Sequence, residues 1–474
     1  MKIIRNINKL LKKLCEFDKK IVLSDKLTKC IIGILFIWFL YQSLFFVTNL
    51  KGFIPDQSYH LRYINIYKNK EDLSPIIHEW KGDAYPQDTR TPSYFYHYLL
   101  GNFLKIFHSD YADYNILRTV NFYFNILTVL VFIKLTNKLT KNNWIKILSM
   151  IFMTNTLMFT VLGAGINYDN LANLLSIISI YFVIKIFKDK EYKYFYFLLS
   201  EGLLTCLVKV AFVPLLIIEL LVCALNLKPI YKFTTSVIKN YKKLINFKSL
   251  VFIIISIIIF SLFIERYGYN LIKYKSISPS CDKLYSFEKC MTEPQFARDQ
   301  NLIKTSSTRE GLDFIIFTTK WYLKMLEGMF GLNGHRLFAY NTHLTYLITA
   351  ELLLFLFSLI RYSNIKKEKL IWLTIFLAGG YIFTVFFYVN YRQFRSIRLF
   401  GLAMQGRYLF PVLSLMFYIF AYYSIRLLKY SNILKIFLIT ITLISLLYWG
   451  FFWYLRTAGP EWYINNQPYY LLIK

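Results

Sequence analysis

Long apolar runs separated by polar segments are the main pattern of this 474-residue chain. A helix needs roughly 20 apolar residues to cross the hydrocarbon layer of a bilayer. The lengths of the runs, rather than their periodicity, therefore predict about eleven transmembrane helices in an all-α polytopic membrane protein. The predicted spans are 30–50, 113–137, 143–164, 170–188, 194–208, 210–227, 249–265, 341–361, 370–390, 408–428 and 433–454.

Lysine and arginine are concentrated in alternate loops, which predicts the orientation of the spans. The basic loops are "NKLTKNNWIK", "KDKEYK", "KPIYKFTTSVIKNYKK", "RYSNIKKEK" and "RLLKYSNILK". Cytoplasmic loops carry such an excess, so these loops and the N-terminus are predicted to lie inside. No small-residue cleavage site follows the first apolar run, which favours a retained segment over a signal peptide.

This topology divides the chain into five predicted parts, two of which contain a long outer loop. They are a basic cytoplasmic N-terminus (1–29), an N-terminal transmembrane module (30–265) that includes outer loop 51–112, a second outer loop (266–340), a C-terminal transmembrane module (341–454) and an outer tail (455–474). The stretches "TPSYFYHYLLGNFLKIF" and "GLDFIIFTTKWYLKMLEGMFG" are amphipathic and rich in tyrosine or tryptophan. We expect both to form helices that lie in the membrane interface.

Composition and cysteine placement refine this picture. The chain is 56% hydrophobic with a net charge of +29, which excludes an ordinary soluble protein. Such charge can indicate nucleic-acid binding, but here the basic residues fall mainly between apolar runs, and no nucleic-acid partner is predicted. Cys281 and Cys290 lie in a predicted outer loop, where an oxidising compartment favours a disulfide over two free thiols.

An acid, a histidine and an arginine follow the first span closely, in "IPDQSYHLRY". Pro55 is suited to the first position of a helix, with Asp56 in its first turn, where the helix dipole favours a carboxylate. Asp56 and His60 are four residues apart and share one face, whereas Arg62 points elsewhere. The alternative is a helix cap with ordinary loop polarity.

A cluster of arginines breaks the positive-inside pattern in the predicted outer loop before span 408–428. Its members are Arg392, Arg395, Arg398 and Arg407. Arginine's planar fork suits phosphate, so a phosphate-bearing lipid is the expected partner, and binding to anionic headgroups is the simpler alternative. The first three are spaced by three residues, which would group them on a helix. Arg407 enters a span beside Gln405 and is favoured for a specific role.

Three further polar residues lie near predicted spans. Asp169 and Asn170 occupy a short outer turn in "GAGINYDN", where a helix cap is the alternative role. Lys209 would cost about 3 kcal/mol in mid-membrane, so it is expected at an outer end, in a cavity, or snorkelling to the surface. The six histidines lack metal-ligand spacing, and neither a Walker loop nor a G-x-S-x-G elbow is present.

Taken together, these motifs resemble the GT-C class of membrane glycosyltransferases. They are most similar to a bacterial family of uncharacterised membrane proteins with P-D-E-x-x-H and Q-G-R-Y-x-x-P motifs, here "PDQSYH" and "QGRYLFP". The resemblance also includes "TPSYFYHYLLGNFLKIF", "GAGINYDNLANLL" and "LKMLEGMFGLNG", in the expected order. Gln57 departs from the pattern by replacing the second acid, which leaves a divalent metal an open question, with no cofactor predicted.

The resemblance implies a transferase that works on the outer (periplasmic) face of the bacterial cytoplasmic membrane. It would move a sugar from a polyprenyl-phosphate-linked donor to a glycan or lipid acceptor. Asp56 and His60 would be catalytic, and Arg407, Arg398, Arg395 and Lys209 would bind the donor phosphate. Further site candidates are Arg62, Asp169, Asn170, Gln405 and Tyr408.

Two other function classes stay open at this point. A transporter or flippase of a lipid-linked glycan would use the arginines and the spans but would not need Asp56, and such proteins usually show internal repeats. A non-catalytic assembly subunit would use the long outer loops for docking. Within the transferase hypothesis, either Asp56 or Asp169 could be the base.

Overall fold

A computed structural model describes the chain as a bundle of helices. The described residues are 18, 23–50, 54, 56–77, 89–107, 113–239, 247–309, 311–333, 338–362, 368–402 and 404–459. Most of the predicted N-terminal segment, of the basic loop around 240–246 and of the outer tail lies outside these ranges.

The elements follow one another as helices with one short hairpin. The α-helices are α1 (Asp25–Asn49), α2 (Gln57–Lys68), α3 (Phe95–Phe107), α4 (Asp113–Leu139), α5 (Asn143–Asn155), α6 (Leu157–Gly163), α7 (Tyr168–Ile184), α8 (Tyr194–Val208), α9 (Val213–Ala224), α10 (Leu227–Lys239), α11 (Phe247–Phe263), α12 (Tyr269–Tyr274), α13 (Cys281–Leu284), α14 (Phe287–Met291), α15 (Pro294–Lys304), α16 (Phe314–Phe330), α17 (Thr342–Tyr362), α18 (Lys369–Thr384), α19 (Arg392–Ile397), α20 (Leu413–Leu427), α21 (Asn432–Leu446) and α22 (Phe452–Thr457). Strands β1 (Leu332–Asn333) and β2 (Phe338–Ala339) pair antiparallel. Short π-helical turns, Lys185–Asp189, Ile264–Gly268, Val385–Tyr391 and Leu447–Phe451, extend four of the spans, and Val210–Phe212, Ser306–Thr308 and Gly406–Val412 form 3₁₀ turns.

Eight helices of the described chain are long and apolar enough to cross a membrane, or ten if two bent pairs each form one span. The eight are Asp25–Asn49, Tyr114–Leu139, Tyr168–Asp189, Phe247–Tyr274, Thr342–Arg361, Lys369–Ile397, Gly406–Leu427 and Asn432–Thr457. The bent pairs are Asn143–Asn155 with Leu157–Gly163 and Val210–Ala224 with Leu227–Ser236. This number of long apolar helices is consistent with the predicted polytopic membrane protein. Each of the eleven predicted ranges is largely helical, but 143–164 is bent by 58° between α5 and α6, and α8 has only 15 residues, so the count of eleven stays a prediction.

Burial separates two central spans, Tyr168–Asp189 and Gly406–Leu427, from peripheral ones. In the span Tyr168–Asp189, 72% of the most apolar window is buried, against 6% in Phe247–Tyr274. Helix α7 packs between α4 and α8, and the 3₁₀ turn Gly406–Val412, which precedes α20, contacts α7 as well. Polar residues at the N-terminus of α7 are therefore enclosed by protein, which is the environment in which a membrane span tolerates charge.

The described parts of the first predicted outer loop are attached to the bundle. Helices α2 and α3 cross closely at Gly101, where a Cβ would lie 2.5 Å from the Cβ of Tyr67. Arg90 pairs with Glu265 at 2.7 Å. Buried Arg266 donates to the carbonyl oxygen of Thr89 at 2.9 Å. These contacts fix α2 and α3 over the end of the bundle, so the residues they carry are held in defined positions.

The second predicted outer loop, 266–340, includes α13–α16. Cys281 and Cys290 form a disulfide with a Cα–Cα distance of 5.8 Å, which confirms the predicted bridge. Both predicted amphipathic stretches are helical over most of their length, as α3 and α16.

Candidate functional site

Three segments that are far apart in sequence meet at one end of the bundle. Asp56 comes after α1, Asp169 lies in the first turn of α7, and Arg407 lies in the 3₁₀ turn that leads into α20. Asp56 has φ 60° and precedes α2, so the expectation that it occupies the first helical turn is wrong by one position. Pro55, which was expected to begin that helix, lies outside the described residues.

Arg407 is the centre of the site, with a side chain only 3% exposed. Its Nη2 donates to Asp56 Oδ2. Its Nη1 lies 3.5 Å from Asp169 Oδ2, and its Nε donates to Gln405 Oε1 at 2.5 Å. The three nitrogens of the guanidinium thus face three different groups, two carboxylates and one amide, which its planar arrangement of donors allows.

Lys209 supplies the second cation. It lies in extended backbone between α8 and the 3₁₀ turn Val210–Phe212, which directs its side chain into the bundle. Its Nζ is 2.5 Å from Asp169 Oδ1 and lies over the rings of Tyr168 and Tyr408, 5.0 and 5.1 Å from their centroids. Of the locations considered from the sequence, the structure shows an enclosed one, since Lys209 is 6% exposed.

Three neighbouring polar residues at the start of α7, Asn167, Asp169 and Asn170, make different contacts. Asn167 caps the helix, because its Oδ1 accepts from the backbone N–H of Asp169 at 2.9 Å. The carboxylate of Asp169 is therefore available to the two cations. Asn170 turns away from them and donates to Asn121 Oδ1 at 2.9 Å and to the carbonyl oxygen of Leu162 at 2.8 Å, which is a structural role.

Two other features position the site. Gln57, which replaces the second acid of the resembled motif, donates to the hydroxyl of Tyr114 at 3.1 Å and accepts from the N–H of Ile166 at 3.1 Å. Gly406 packs against the backbone of α16 at Gly328, where a Cβ would lie 2.5 Å from Gly406 N. The hydrogen bonds of Gln57 fix α2 beside the turn before α7. The packing of Gly406 fixes the 3₁₀ turn that carries Arg407.

A pair of histidines adjoins the charged cluster and was not predicted from the sequence. His60 on α2 and His97 on α3 are both buried, with 2.8 Å between His60 Nδ1 and His97 Nε2. Burial lowers the pKa of His60 to about 4, although the charges of Asp56 and Asp169 oppose this shift. Burial and the neighbouring His60 likewise place the pKa of His97 well below its usual range.

Three predicted site residues lie apart from Arg407. Arg398 follows the end of α19 with φ 53°, and its Nη1 donates to the carbonyl oxygen of Arg309 at 3.4 Å. The predicted helical grouping is thus wrong for Arg398, because the helix ends at Ile397. Arg395 and Arg62 are exposed on α19 and α2. None of the contacts described above joins these three to the buried cluster.

The cluster balances its charges. Arg407 and Lys209 carry two positive charges, and Asp56 and Asp169 carry two negative ones. Asp56 is the accessible member, with 34% of its side chain exposed, against 2–7% for Asp169, Arg407 and Lys209. Within the described ranges, no group of three or more histidine, cysteine, aspartate or glutamate side chains could hold a metal ion.

The arrangement combines an accessible carboxylate with two enclosed cations and an enclosed imidazole pair. Such a group can bind an anion and hold or move a proton beside it. Comparison with known proteins adds no assignment: no family model matches this chain, and no curated protein is significantly similar to it.

Proposed function

We propose that the protein is a membrane glycosyltransferase of the GT-C type. It uses a polyprenyl-phosphate-linked sugar and transfers the sugar to a cell-surface glycan or lipid on the outer face of the bacterial cytoplasmic membrane. The observation that carries this proposal is the contact between buried Arg407 and accessible Asp56, which are 351 residues apart in sequence. That contact unites the two motifs, "PDQSYH" and "QGRYLFP", on which the family resemblance depends.

The first step is recognition of the donor phosphate by the two cations. Phosphate competes with carboxylate for a guanidinium fork, since both accept two parallel hydrogen bonds. The phosphate would replace Asp56 on the accessible side of Arg407, while Asp169 keeps Arg407 and Lys209 in place. Both cations then counter the charge that develops on the leaving phosphate. Arg395 on α19 and Arg398 directly after it are exposed, and they serve the approach of the anionic lipid rather than the reaction.

The second step is the transfer itself. The acceptor hydroxyl forms a bond to the anomeric carbon as the bond between that carbon and the phosphate oxygen breaks, and the electron pair leaves with the phosphate. Asp56, released from Arg407 by the phosphate, accepts the hydroxyl proton. Asp169 is less suited to this task because it is 1% exposed and is held by both cations. Phosphate is a good leaving group, so no second carboxylic acid is required.

The experiment compares transfer and binding in reconstituted protein. Asp56→Asn should reduce transfer of labelled sugar from a short-chain polyprenyl-phosphate sugar about 10²–10⁴-fold, the usual contribution of a positioned base. Binding of the donor should survive, because both cations remain. Arg407→Lys should keep partial activity, and Arg407→Ala should weaken donor binding much more. Asp282→Asn, an exposed change in the second outer loop, is the matched control.

Each outcome separates the function classes. Full transfer by a well-folded Asp56→Asn variant would exclude Asp56 as the base. Equal donor affinity in the parent, Arg407→Lys and Arg407→Ala would assign Arg407 to structure. Movement of the intact lipid-linked sugar across the membrane without transfer, unchanged by Asp56→Asn, would instead support the transporter alternative.

A further inference from the structure

Helices α7, α8 and α9 enclose a small cavity that is separate from the charged cluster. It is lined by Ser179 on α7, Gly202 and Thr205 on α8, Glu219 on α9, and apolar side chains of α9 and of the turn before it. Its volume of about 10 Å³ is the room of one water molecule or one small ion. The cavity is thus a polar enclosure within apolar helices, and its polar groups define what it can bind.

Glu219 supplies the carboxyl group of this cavity. The residue is 1% exposed, and Ser179 Oγ donates to Glu219 Oε1 at 2.6 Å. No other hydrogen bond joins Glu219 to a described residue, so Oε2 has no partner within the described part of the chain. Buried polar atoms are rarely left in that state, which indicates that a ligand pairs with this oxygen.

Two hydroxyl oxygens complete the polar lining. Thr205 Oγ1 donates to Glu201 Oε1 at 2.7 Å, and the hydroxyl of Ser179 gives its proton to Glu219. A hydroxyl has one proton and two lone pairs, so both oxygens keep lone pairs for a ligand. Glu201 is half-buried and does not line the cavity itself, so its contact with the cavity is through Thr205. The polar groups of the cavity are therefore acceptors.

The carboxyl group in the cavity has no basic partner. No salt bridge joins Glu201 or Glu219 to a described lysine, arginine or histidine, whereas Asp56 and Asp169 are both paired with cations. An unpaired charge inside a membrane span is costly. Protonation would neutralise Glu219 but leave Oε2 without a partner, and a water molecule would pair with Oε2 but leave the charge. A cation in the cavity does both.

We propose that the cavity between α7, α8 and α9 binds one dehydrated monovalent cation, Na⁺, with Glu219, Ser179 and Thr205 as its protein ligands. One carboxylate balances one positive charge. The space excludes the water shell that Mg²⁺ keeps and the roughly six to eight oxygen ligands that Ca²⁺ takes. The ion connects α7, which begins with the turn that carries Asp169, to α8, which ends directly before Lys209. The proposal depends on the cavity and does not require the protein to be a transferase.

Thermal stability of the full chain in detergent tests the site with Na⁺ alone. At constant ionic strength, replacement of choline chloride by NaCl should raise the melting temperature of the parent, because a ligand that binds only the folded state stabilises that state. Choline is too large for the cavity, so it controls for the effect of salt. Equal melting temperatures in the two salts would overturn the proposal.

Variants of the ligands assign the effect to this cavity. Glu219→Gln should abolish the rise in NaCl, since it removes the charge and keeps the shape of the side chain. Ser179→Ala and Thr205→Val should each weaken Na⁺ affinity about 10–100-fold, the worth of one contact to a charged group. Glu351→Gln is the matched control and should keep the full rise. Glu351 on α17 is 2% exposed and accepts from a threonine hydroxyl at 2.6 Å, but it does not line this cavity.

Retention of ²²Na⁺ measures binding directly, on folded protein isolated by size exclusion, so a less stable variant still gives a result. The parent should retain one ion per chain that excess NaCl displaces and choline chloride does not, and Glu219→Gln should retain none. Retention that survives Glu219→Gln would place the ion elsewhere, and absence of retention by the folded parent would indicate a protonated Glu219 beside a water molecule. Either result would overturn the proposal. Neither measurement involves sugar transfer, so the proposed function is tested separately.

Discussion

Removing the charge of Lys209 tests whether the buried cluster is a coupled unit. Lys209→Met keeps an unbranched side chain of similar length and deletes the ammonium group. The parent contact, 2.5 Å between Lys209 Nζ and Asp169 Oδ1, is enclosed by the rings of Tyr168 and Tyr408. In the variant, the cation remaining near the Asp169 carboxylate is Arg407, with 3.5 Å between Nη1 and Oδ2.

The expected magnitude follows from leaving a buried charge undercompensated. Breaking a buried ion pair by removing one partner typically costs about 3–5 kcal/mol. Arg407 still faces Asp169, which places the expected loss of unfolding free energy at the lower end, about 3 kcal/mol. Asp169→Asn added to Lys209→Met should recover part of this loss, because it removes the negative charge that Lys209 had balanced.

The assay is the free energy of unfolding in mixed micelles, from titration with a denaturing detergent followed by near-UV circular dichroism. Lys193→Met is the matched control: this lysine is 58% exposed and 3.4 Å from Glu191, and exposed pairs contribute little, so stability should not change. A Lys209→Met protein as stable as the parent would refute the reasoning. So would a double variant that is less stable than Lys209→Met alone.

Three further predictions address other parts of the molecule. Without reductant, Cys281 and Cys290 should resist alkylation, and reduction of the bridge should cost about 2–4 kcal/mol of stability; complete alkylation of both thiols in unreduced protein would contradict this. Because burial lowers the pKa of His60 to about 4, below the 6.5 of an exposed histidine, the folded protein binds fewer protons between these values. The stability from neutral His60 is complete above about pH 6.5 and is lost as the pH falls to about 4. His60→Gln should therefore reduce the pH dependence of the melting temperature in this window, to which buried His97 also contributes, and an unchanged profile would exclude His60 as a source. Gly328→Ala should lower the melting temperature and the affinity for the donor, because its Cβ would meet the backbone of the turn that carries Arg407. Gly379→Ala is the control: no atom lies within 4 Å of its added Cβ, so the change should be neutral or slightly stabilising. Equal effects of the two substitutions would refute the close-packing argument.

The membrane architecture could be predicted from the sequence because it depends on local run length. A helix of sufficient apolar length satisfies its own backbone hydrogen bonds, whatever surrounds it. Bends within a span are harder to predict from the sequence. The chain breaks between Asn155 and Leu157, where Thr156 is extended, and this break falls on a short polar segment, Thr154–Thr156, with apolar residues on both sides. Hydropathy does not register such a change in backbone direction, so span 143–164 was predicted as one continuous helix.

The charged members of the site could be found individually, but their pairings could not. Asp56, Asp169, Lys209 and Arg407 each stood out as charge beside an apolar run, which membrane insertion makes costly. Their partners depend on which helices pack together, and the packing depends on side-chain shape along whole helices. The grouping of Arg398 with Arg392 failed because local spacing cannot show that a helix ends at Ile397.

The histidine pair illustrates a stronger limit of sequence reasoning. His97 belongs to "TPSYFYHYLLGNFLKIF", where its amphipathic neighbours explain the helix without any reference to function. His60 lies 37 residues earlier, and neither residue has a metal-ligand spacing. Only the close crossing of α2 and α3 at Gly101 brings the two rings together. Small residues that permit such crossings are therefore the sequence signal most useful for finding contacts of this kind.

The balance of charge in the cluster explains how it can exist within a bundle of apolar helices and still respond to an anion. Two buried cations without carboxylates would be costly to enclose, and two carboxylates without cations equally so. Of the four groups, Asp56 has the largest exposed fraction, so water can replace part of its ion pair at least cost. An anion that approaches from the open side competes first with Asp56 and leaves the enclosed Lys209–Asp169 pair intact. Exchange at Asp56 thus changes the partner of Arg407 without leaving any enclosed charge alone, which is why the accessible carboxylate, and not Asp169, is the group whose state depends on what binds.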